Sequence, residues 1–213
     1  MRSFLTLLSV VTLAALTVGP VRAEDRPAAP RLPKAAAFTC KDVNGKVHKL
    51  SDYQGKWVVL EWVNYDCPYV KKHYHTGYKN MQGLQQTYTG KNVVWLSICS
   101  SAPGKQGHMT PEQGRRRLVQ QGAKASALLL DPTGTVGMAY GAKTTPDMRV
   151  INPKGELVYR GAIDSVRGTD PRVIPQSTNY VRTVLDAVLA GRPAPYASKP
   201  PYGCSVKYAP RRR

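Results

Sequence analysis

"VVLEWVNYDCPYVKKHY", residues 58–74, passes from an apolar run through a short polar turn to a Cys-Pro pair and then into a basic, amphipathic stretch. The run Trp57 to Val63 holds Val and Trp at nearly every position, which suits a strand buried on both faces. Pro68 fits the first position of a helix, where its missing N–H is no loss, so Cys67 stands at or beside the N-cap. The free N–H groups and the positive end of the dipole at such a position lower a thiol pKa and populate the nucleophilic thiolate. Lys71 and Lys72 follow within the first turn or so and add positive potential. Position thus makes Cys67 a candidate for a working thiol. The second cysteine of a C-x-x-C pair is missing, with Val70 in its place.

Working outward, "NVVWLSIC" (92–99) and "SALLLD" (126–131) are two more short apolar runs of buried-strand type. Pro68 to about Thr89 is expected to be the helix that crosses over from the first strand to the second. A further helix is expected from Pro111 to about Gln121, with Thr110 as its N-cap. "TGTVGMAYG" (133–141) predicts a short helix ending at Gly141, and residues 178–191 place apolar side chains at 181, 184, 185, 188 and 189, a helical spacing stopped by Gly191. Hairpins are signalled around Asn44-Gly45 and across Asn152 to Gly155. The sum is an α/β domain: a central mixed sheet flanked by helices, with an N-terminal β-hairpin. In such sheets chemistry sits at the carboxyl ends of the parallel strands, where Cys67 and Cys99 both fall.

The ends of the chain read differently. Residues 1–23 have a positive start, an apolar run from Phe4 to Val18 and small residues at Val21 and Ala23, the marks of a secretory signal peptide and not of a transmembrane anchor. Cleavage near Ala23 would deliver an exported protein, periplasmic or secreted. Residues 24–37 are Pro/Ala-rich and read as a flexible leader, 38–191 as the domain, and 192–213 as a Pro/Tyr-rich tail carrying Cys204. Without the signal, 29 Lys and Arg face 13 Asp and Glu, about +16, which favours solubility and attraction to anionic surfaces. The basic residues are scattered, so no specific nucleic acid is implied. Four widely spaced cysteines allow three pairings as two disulfides and match no zinc pattern. His73 and His75, two apart on a helix, point to different faces and do not share a metal ion. No metal site and no cofactor are expected. The "SSAPGKQG" loop should overhang the site, with Lys105 and Gln106 placed to meet a substrate, or serve as a plain connector.

The stretch quoted above, together with "AKTTPDMRVINPKGELVYRGAID" (142–164), resembles the thioredoxin-like redoxins, the superfamily that spans thioredoxins and the AhpC-TSA peroxiredoxin-like proteins. The resemblance runs from about Phe38 to Gly191. "CPYVKKHY", "VVWLSICSSAPGKQG", "GAKTTP" and "YGCSVKY" are similar to an exported bacterial subgroup. It implies a thioredoxin fold, with Cys67 as the attacking cysteine and Glu61, six residues earlier, as a buried acid that shuttles protons. Pro68 follows the cysteine, and Thr145-Pro146 corresponds to a cis-proline loop that faces the thiol and pairs with a substrate backbone. Asn64 stands where peroxiredoxins carry threonine, and its amide is a candidate donor to peroxide or thiolate.

A resolving thiol must come from elsewhere in the chain. The resemblance points to Cys204 in the tail; Cys99 is the second candidate, because adjacent parallel strand ends would bring it near Cys67, while Cys40 reads as a small buried residue on the opening hairpin. The implied activity is antioxidant thiol chemistry on a protein or small-molecule disulfide, or on a peroxide, with an unidentified thiol reductant as partner. Two alternatives stand beside it. One is a non-catalytic binding module stapled by a Cys67–Cys204 disulfide. The other is a copper-handling relative, in which Cys67 and one histidine would hold Cu(I).

Overall fold

The computed structural model describes residues 32–210. The expected signal peptide, and the leader up to residue 31, lie outside the described residues. Among those described, no helix is long and apolar enough to cross a membrane.

Eight strands form one sheet. They are β1 (Thr39–Asp42), β2 (Val47–Lys49), β3 (Val58–Trp62), β4 (Val94–Cys99), β5 (Ala127–Leu130), β7 (Asp147–Ile151), β8 (Leu157–Gly161) and β9 (Ser198–Lys199), in the order β2-β1-β5-β4-β3-β7-β8-β9. The three central strands β3, β4 and β5 run parallel, as their continuous apolar sequences predicted. β7 is antiparallel to β3 and is followed by the expected hairpin to β8. A separate two-stranded ladder joins β6 (Thr144–Thr145) to β10 (Cys204–Ser205).

Strand parity sorts the core into two layers. Val59, Val63 and Trp95 face one cluster, covered by α1 (Pro68–Tyr74), α2 (Asn80–Thr89) and α5 (Tyr180–Leu189). Val58, Leu60, Trp62, Leu96 and Ile98 face the other, covered by α4 (Thr135–Ala139) and by Val206 and Tyr208 of the tail. α3 (Pro111–Gln120) begins at Thr110, whose hydroxyl accepts from the Gln113 N–H while the Gln113 side chain accepts from the Thr110 N–H, a reciprocal capping box.

Three expectations are corrected. The crossover helix is two helices. Thr76 and Gly77 are weak helix formers, Lys79 turns left-handed (φ 46°), and the Gln82 amide, 2.8 Å from the Tyr74 carbonyl, satisfies an acceptor that the break exposes. The leader is not free up to residue 37, since Ala35 N–H donates to the Gly155 carbonyl and Leu157 N–H to that of Pro33. The domain does not stop at residue 191 either. Both β9 and β10 lie within it, and each has only two residues, too short for any periodic signal.

Glu61 shares the strand face of Val59 and Val63 and is completely buried, as the resemblance implied. Its Oε1 accepts from Tyr74 Oη (2.8 Å), and its Oε2 accepts from Trp95 Nε1 (2.8 Å), Ser97 Oγ (2.9 Å) and Gln85 Nε2 (2.9 Å). One carboxyl thereby ties β3 to α1, α2 and β4. Burial raises its pKa, and the four hydrogen bonds work against that rise. Glu61→Ala would leave these donors without an acceptor and should cost about 3–5 kcal/mol, read as a shift in guanidinium denaturation midpoint.

Candidate active site

The turn before α1 is built by Asn64. Its Oδ1 accepts from Asp66 N–H (2.9 Å) and its carbonyl accepts from Cys67 N–H (3.0 Å). Its Nδ2 lies 3.5 Å from the Gln106 carbonyl, a marginal contact. A side chain at Gly107 would meet the Asn64 amide at 2.3 Å, so glycine lets the 101–108 loop close onto this turn. Asn64 therefore shapes the cysteine turn, and its hydrogen bonds go to that turn and to the loop. Cys67 is the N-cap of α1 with Pro68 at the first helical position, as the sequence implied.

Cys67 is fully buried, and its thiol donates to the Thr145 carbonyl at 3.2 Å. The Thr145–Pro146 peptide is cis. Across this loop lies the tail: Cys204 is the register partner of Thr145 and Ser205 that of Thr144, in antiparallel sense. The strand that pairs with the cis-proline loop is the chain's own. Gly203 makes the approach possible, because its φ of 140° is in the region that favours glycine and a Cβ there would meet the Thr145 carbonyl oxygen at 2.1 Å.

The two thiols titrate in opposite directions. Burial alone would push Cys67 up, but hydrogen bonds from the Cys204 thiol, from Thr145, and from the Val70 and Cys204 backbones outweigh it and bring its pKa below the ordinary thiol value. The Thr145 hydroxyl is itself buried without a hydrogen-bond partner, so the contact of Cys67 with this residue is to its carbonyl. Cys204 moves the opposite way, to about 11, through burial first and then the neighbouring Cys67 charge. Cys67 is thus the readier of the two thiols to lose its proton and Cys204 the less ready. Neither lysine that follows Cys67 contributes: Lys71 is exposed, and Lys72 is turned elsewhere. Glu61 contacts neither thiol, its acceptor capacity being taken up by the four donors above.

Cys99 is buried at the end of β4 and donates to the Gly107 carbonyl (3.1 Å), with its pKa raised by burial. Cys40 is buried on β1, donates to the Leu130 carbonyl (3.2 Å), and is pushed up to about 12. Both are protonated thiols spent on carbonyls, whereas Cys204 is placed against Cys67.

What holds the tail in place was not anticipated. Tyr69, Lys72 and His73 lie at i, i+3 and i+4, on one face of α1, and all three meet Tyr202. Tyr69 packs edge-on (5.9 Å between ring centroids), Lys72 Nζ lies 3.2 Å from Tyr202 Oη, and His73 Nε2 lies 3.2 Å from the same oxygen. Lys72 Nζ also donates to Asp164 Oδ2 (2.9 Å) and the Val166 carbonyl (2.7 Å), and Tyr202 Oη donates to Asp164 Oδ1. The Asn80 amide nitrogen is 2.8 Å from His73 Nδ1, while Asn80 Oδ1 accepts from Asn179. This network assigns His73 as neutral with its proton on Nε2, in keeping with a pKa that burial lowers to about 4. Beyond Cys204, Val206 N–H donates to the Lys143 carbonyl (3.0 Å), Ala102 N–H to that of Lys207 (2.8 Å), and Tyr208 Oη to that of Ala142 (2.8 Å). The recurrence of polar side chains in "PYVKKHY" and of Tyr and Gly in "YGC" was the available signal, but only the fold brings the two segments together.

A model of the AhpC/TSA family matches residues 33–160. No curated protein matches the chain. Among solved structures, an uncharacterised conserved protein from Geobacillus kaustophilus is 30% identical, with a TM-score of 0.75 over 86% of this chain and 94% of its own. A hypothetical protein from Sinorhizobium meliloti 1021 is 23% identical, with a TM-score of 0.69 over 85% and 96%. The thioredoxin domain of a thiol-disulfide oxidoreductase from Bacteroides vulgatus is 17% identical, with a TM-score of 0.48 over 70% and 97%. The α/β architecture described above is a thioredoxin-like fold, as the sequence implied.

Two measurements check this geometry. Tyr202→Phe removes the hydroxyl shared by Lys72, His73 and Asp164. It should loosen tail docking by about tenfold or more, seen as faster hydrogen exchange over residues 200–206 with little change in β3 and β4. Alkylation of Cys67 should rise with pH and level off below the ordinary thiol value, because its folded pKa is lowered. Alkylation of Cys204 should keep rising toward about pH 11, and mass-resolved labelling across a pH series separates the two.

Proposed function

Since the chain belongs to the AhpC/TSA family, we propose that it is an exported thiol-based oxidoreductase in which Cys67 attacks and Cys204 resolves. The observation that carries this reading is the in-register placement of Cys204 against Thr145, beside a Cys67 thiol whose pKa is shifted opposite to its own.

The cycle follows from the opposed shifts of the two thiols. With a peroxide, the Cys67 thiolate attacks one oxygen, the O–O bond breaks, and the leaving oxygen takes the proton from the Cys204 thiol. Cys67 is then a sulfenic acid, and the nearby charge that held Cys204 protonated is gone. The Cys204 thiolate attacks the Cys67 sulfur, closing a disulfide and expelling hydroxide, which solvent protonates to water. With a small disulfide, the same attack gives a mixed disulfide, and the departing thiolate takes the Cys204 proton. Cys204 then releases the second half of the substrate as a thiolate. In both cases an external thiol reductant must restore the pair. Pro68 starts the helix that supports the thiolate. Thr145 and Pro146 hold the tail strand where a substrate strand would otherwise pair. In this reading Glu61 and Asn64 act on the scaffold, fixing β3 and the cysteine turn.

Small oxidants suit the site better than folded proteins, because Cys67 is buried beneath a strand of its own chain. The test is thiol mapping on the reduced mature protein. One equivalent of hydrogen peroxide or of cystine is added, the reaction is quenched within seconds by alkylation, and each cysteine is identified by mass spectrometry. A rapid Cys67–Cys204 link is expected. In Cys204→Ser, sulfenic acid or mixed disulfide should be trapped on Cys67 while thermal stability stays close to wild type. A Cys67 that remains a free thiol with both oxidants would end the proposal. A Cys204→Ser protein that loses much of its stability and traps nothing would point to a structural staple instead.

A further inference from the structure

On the other side of the cis-proline loop, a cavity of about 430 Å³ opens between that loop and the tail. Its lining includes Lys143, Asp147, Arg149, Arg160 and Ser198, and its wall is closed by Pro200 and Pro201, which lead to Cys204. Arg149 is almost wholly buried, yet its only carboxylate partner is Asp147, which it neutralises. Arg149 also donates to the carbonyls of Met148 and Tyr140, and its Nε is buried without a partner.

The register adds an independent observation. Arg149 and Arg160 are direct cross-strand partners on β7 and β8, so their side chains project from the same face. Like charges directly opposite in an antiparallel pair are destabilising, and such a pair is ordinarily broken by a polar or opposite-charge residue. Among the described residues, the side chains of Arg160 and Lys143 form no ion pair and no hydrogen bond. Lys199 behaves differently: its ammonium lies 4.4 Å from the Tyr196 ring centroid and 5.2 Å from that of Tyr180. Once Asp147 and Arg149 cancel, the lining keeps three positive charges, Lys143 and Arg160 without partners and Lys199 over two tyrosine rings, with the Ser198 hydroxyl as a further donor. A pre-formed concavity of this size with convergent unpaired cations is the setting in which a small anion gains most, since guanidinium groups match carboxylate and phosphate in two-pronged fashion.

We propose that this cavity binds a small anion bearing carboxylate or phosphate groups, held by Lys143 beside the cis-proline loop and Arg160 on β8, with Ser198 of the tail as a further donor. The site is separate from the thiol chemistry, and its occupancy can be measured without any redox cycle. The probes are citrate and pyrophosphate, titrated calorimetrically into the full mature chain at low ionic strength. The variants are Lys143→Ala/Arg160→Ala and, as a control with the same loss of charge, Lys46→Ala/Lys56→Ala at exposed positions of the opening hairpin and the turn before β3.

Saturable one-to-one binding of at least one probe is expected, weakened about tenfold or more in the cavity variant and within about twofold of wild type in the control. Preference for citrate or for pyrophosphate assigns the ligand to the carboxylate or the phosphate class, and equal binding assigns it to neither exclusively. Circular-dichroism melts show whether the cavity variant is folded. If it is not, Arg160→Gln alone, which removes only an exposed charge, takes its place. Absence of saturable binding for both probes overturns the proposal. Equal weakening in the two variants does so as well, because the attraction would then belong to the general positive surface.

Discussion

The ammonium of Lys72 is completely buried, and much of the site follows from that one charge. An unpaired ammonium in a protein interior is too costly to persist, so it must find a carboxylate and further acceptors. The carboxylate is Asp164, the carbonyl is that of Val166, and the remaining oxygen is the hydroxyl of Tyr202, brought in by the tail. With the tail absent, Lys72 and Asp164 would lose the ring that covers them and Asp164 would lose a donor. The charge pair thus makes docking of residues 202–204 part of the fold. Because α1 carries both Cys67 at its start and Lys72 one turn later, the latch and the thiol sit on one rigid element, and fixing Tyr202 fixes Cys204 relative to Cys67.

The second consequence concerns timing. While Cys67 is a thiolate, Cys204 is held protonated, both by burial and by the adjacent negative charge. Only when Cys67 has reacted does that charge disappear, and Lys207 then remains as a group that lowers the Cys204 pKa. The opposed shifts make Cys67 the thiol that ionises first and Cys204 the one that ionises later. A pair of thiols with equal pKa values would have no such order. The other two cysteines lack this relation, since each donates to a carbonyl and has its pKa raised by burial.

The sequence was informative where structure is local. The β3 run, the Cys-Pro helix start, the Thr110 cap and both hairpins are patterns within a few residues, and each fixes its own conformation. The resemblance also implied a buried acid at Glu61, and it is buried. Its partners could not be read, because Gln85, Trp95 and Ser97 are brought together only by the parallel pairing of β3 with β4 and the packing of α2. The same holds for the tail. Strands of two residues have no periodicity, and their pairing is decided by a ring packed on α1 and by a glycine that only a close approach requires. Lys72 and Asp164 are separated by 92 residues, so a rule based on spacing assigns Lys72 to solvent or to the cysteine. The split of the crossover helix was missed for a different reason: one glycine in an otherwise acceptable helical stretch does not reveal that side chains such as Gln82 will support the break.

Docking and access pull against each other. Cys67 is buried, and the strand above it is clamped on both sides, by Tyr202 before it and by the hydrogen bonds of Val206, Lys207 and Tyr208 after it. Lifting the two residues of β10 disturbs only a short ladder, a small local opening of the kind that admits a peroxide or a compact disulfide. Seating an extended protein strand on the cis-proline loop is a larger demand. It requires the whole segment from Tyr202 to Tyr208 to leave, uncovering the Lys72–Asp164 pair and the apolar faces of Val206 and Tyr208. The free energy of that release would be subtracted from any protein substrate's affinity, whereas Cys204 already sits there and loses only a small amount of conformational freedom when it forms a bond to Cys67. The tail is therefore the strand that the groove binds best.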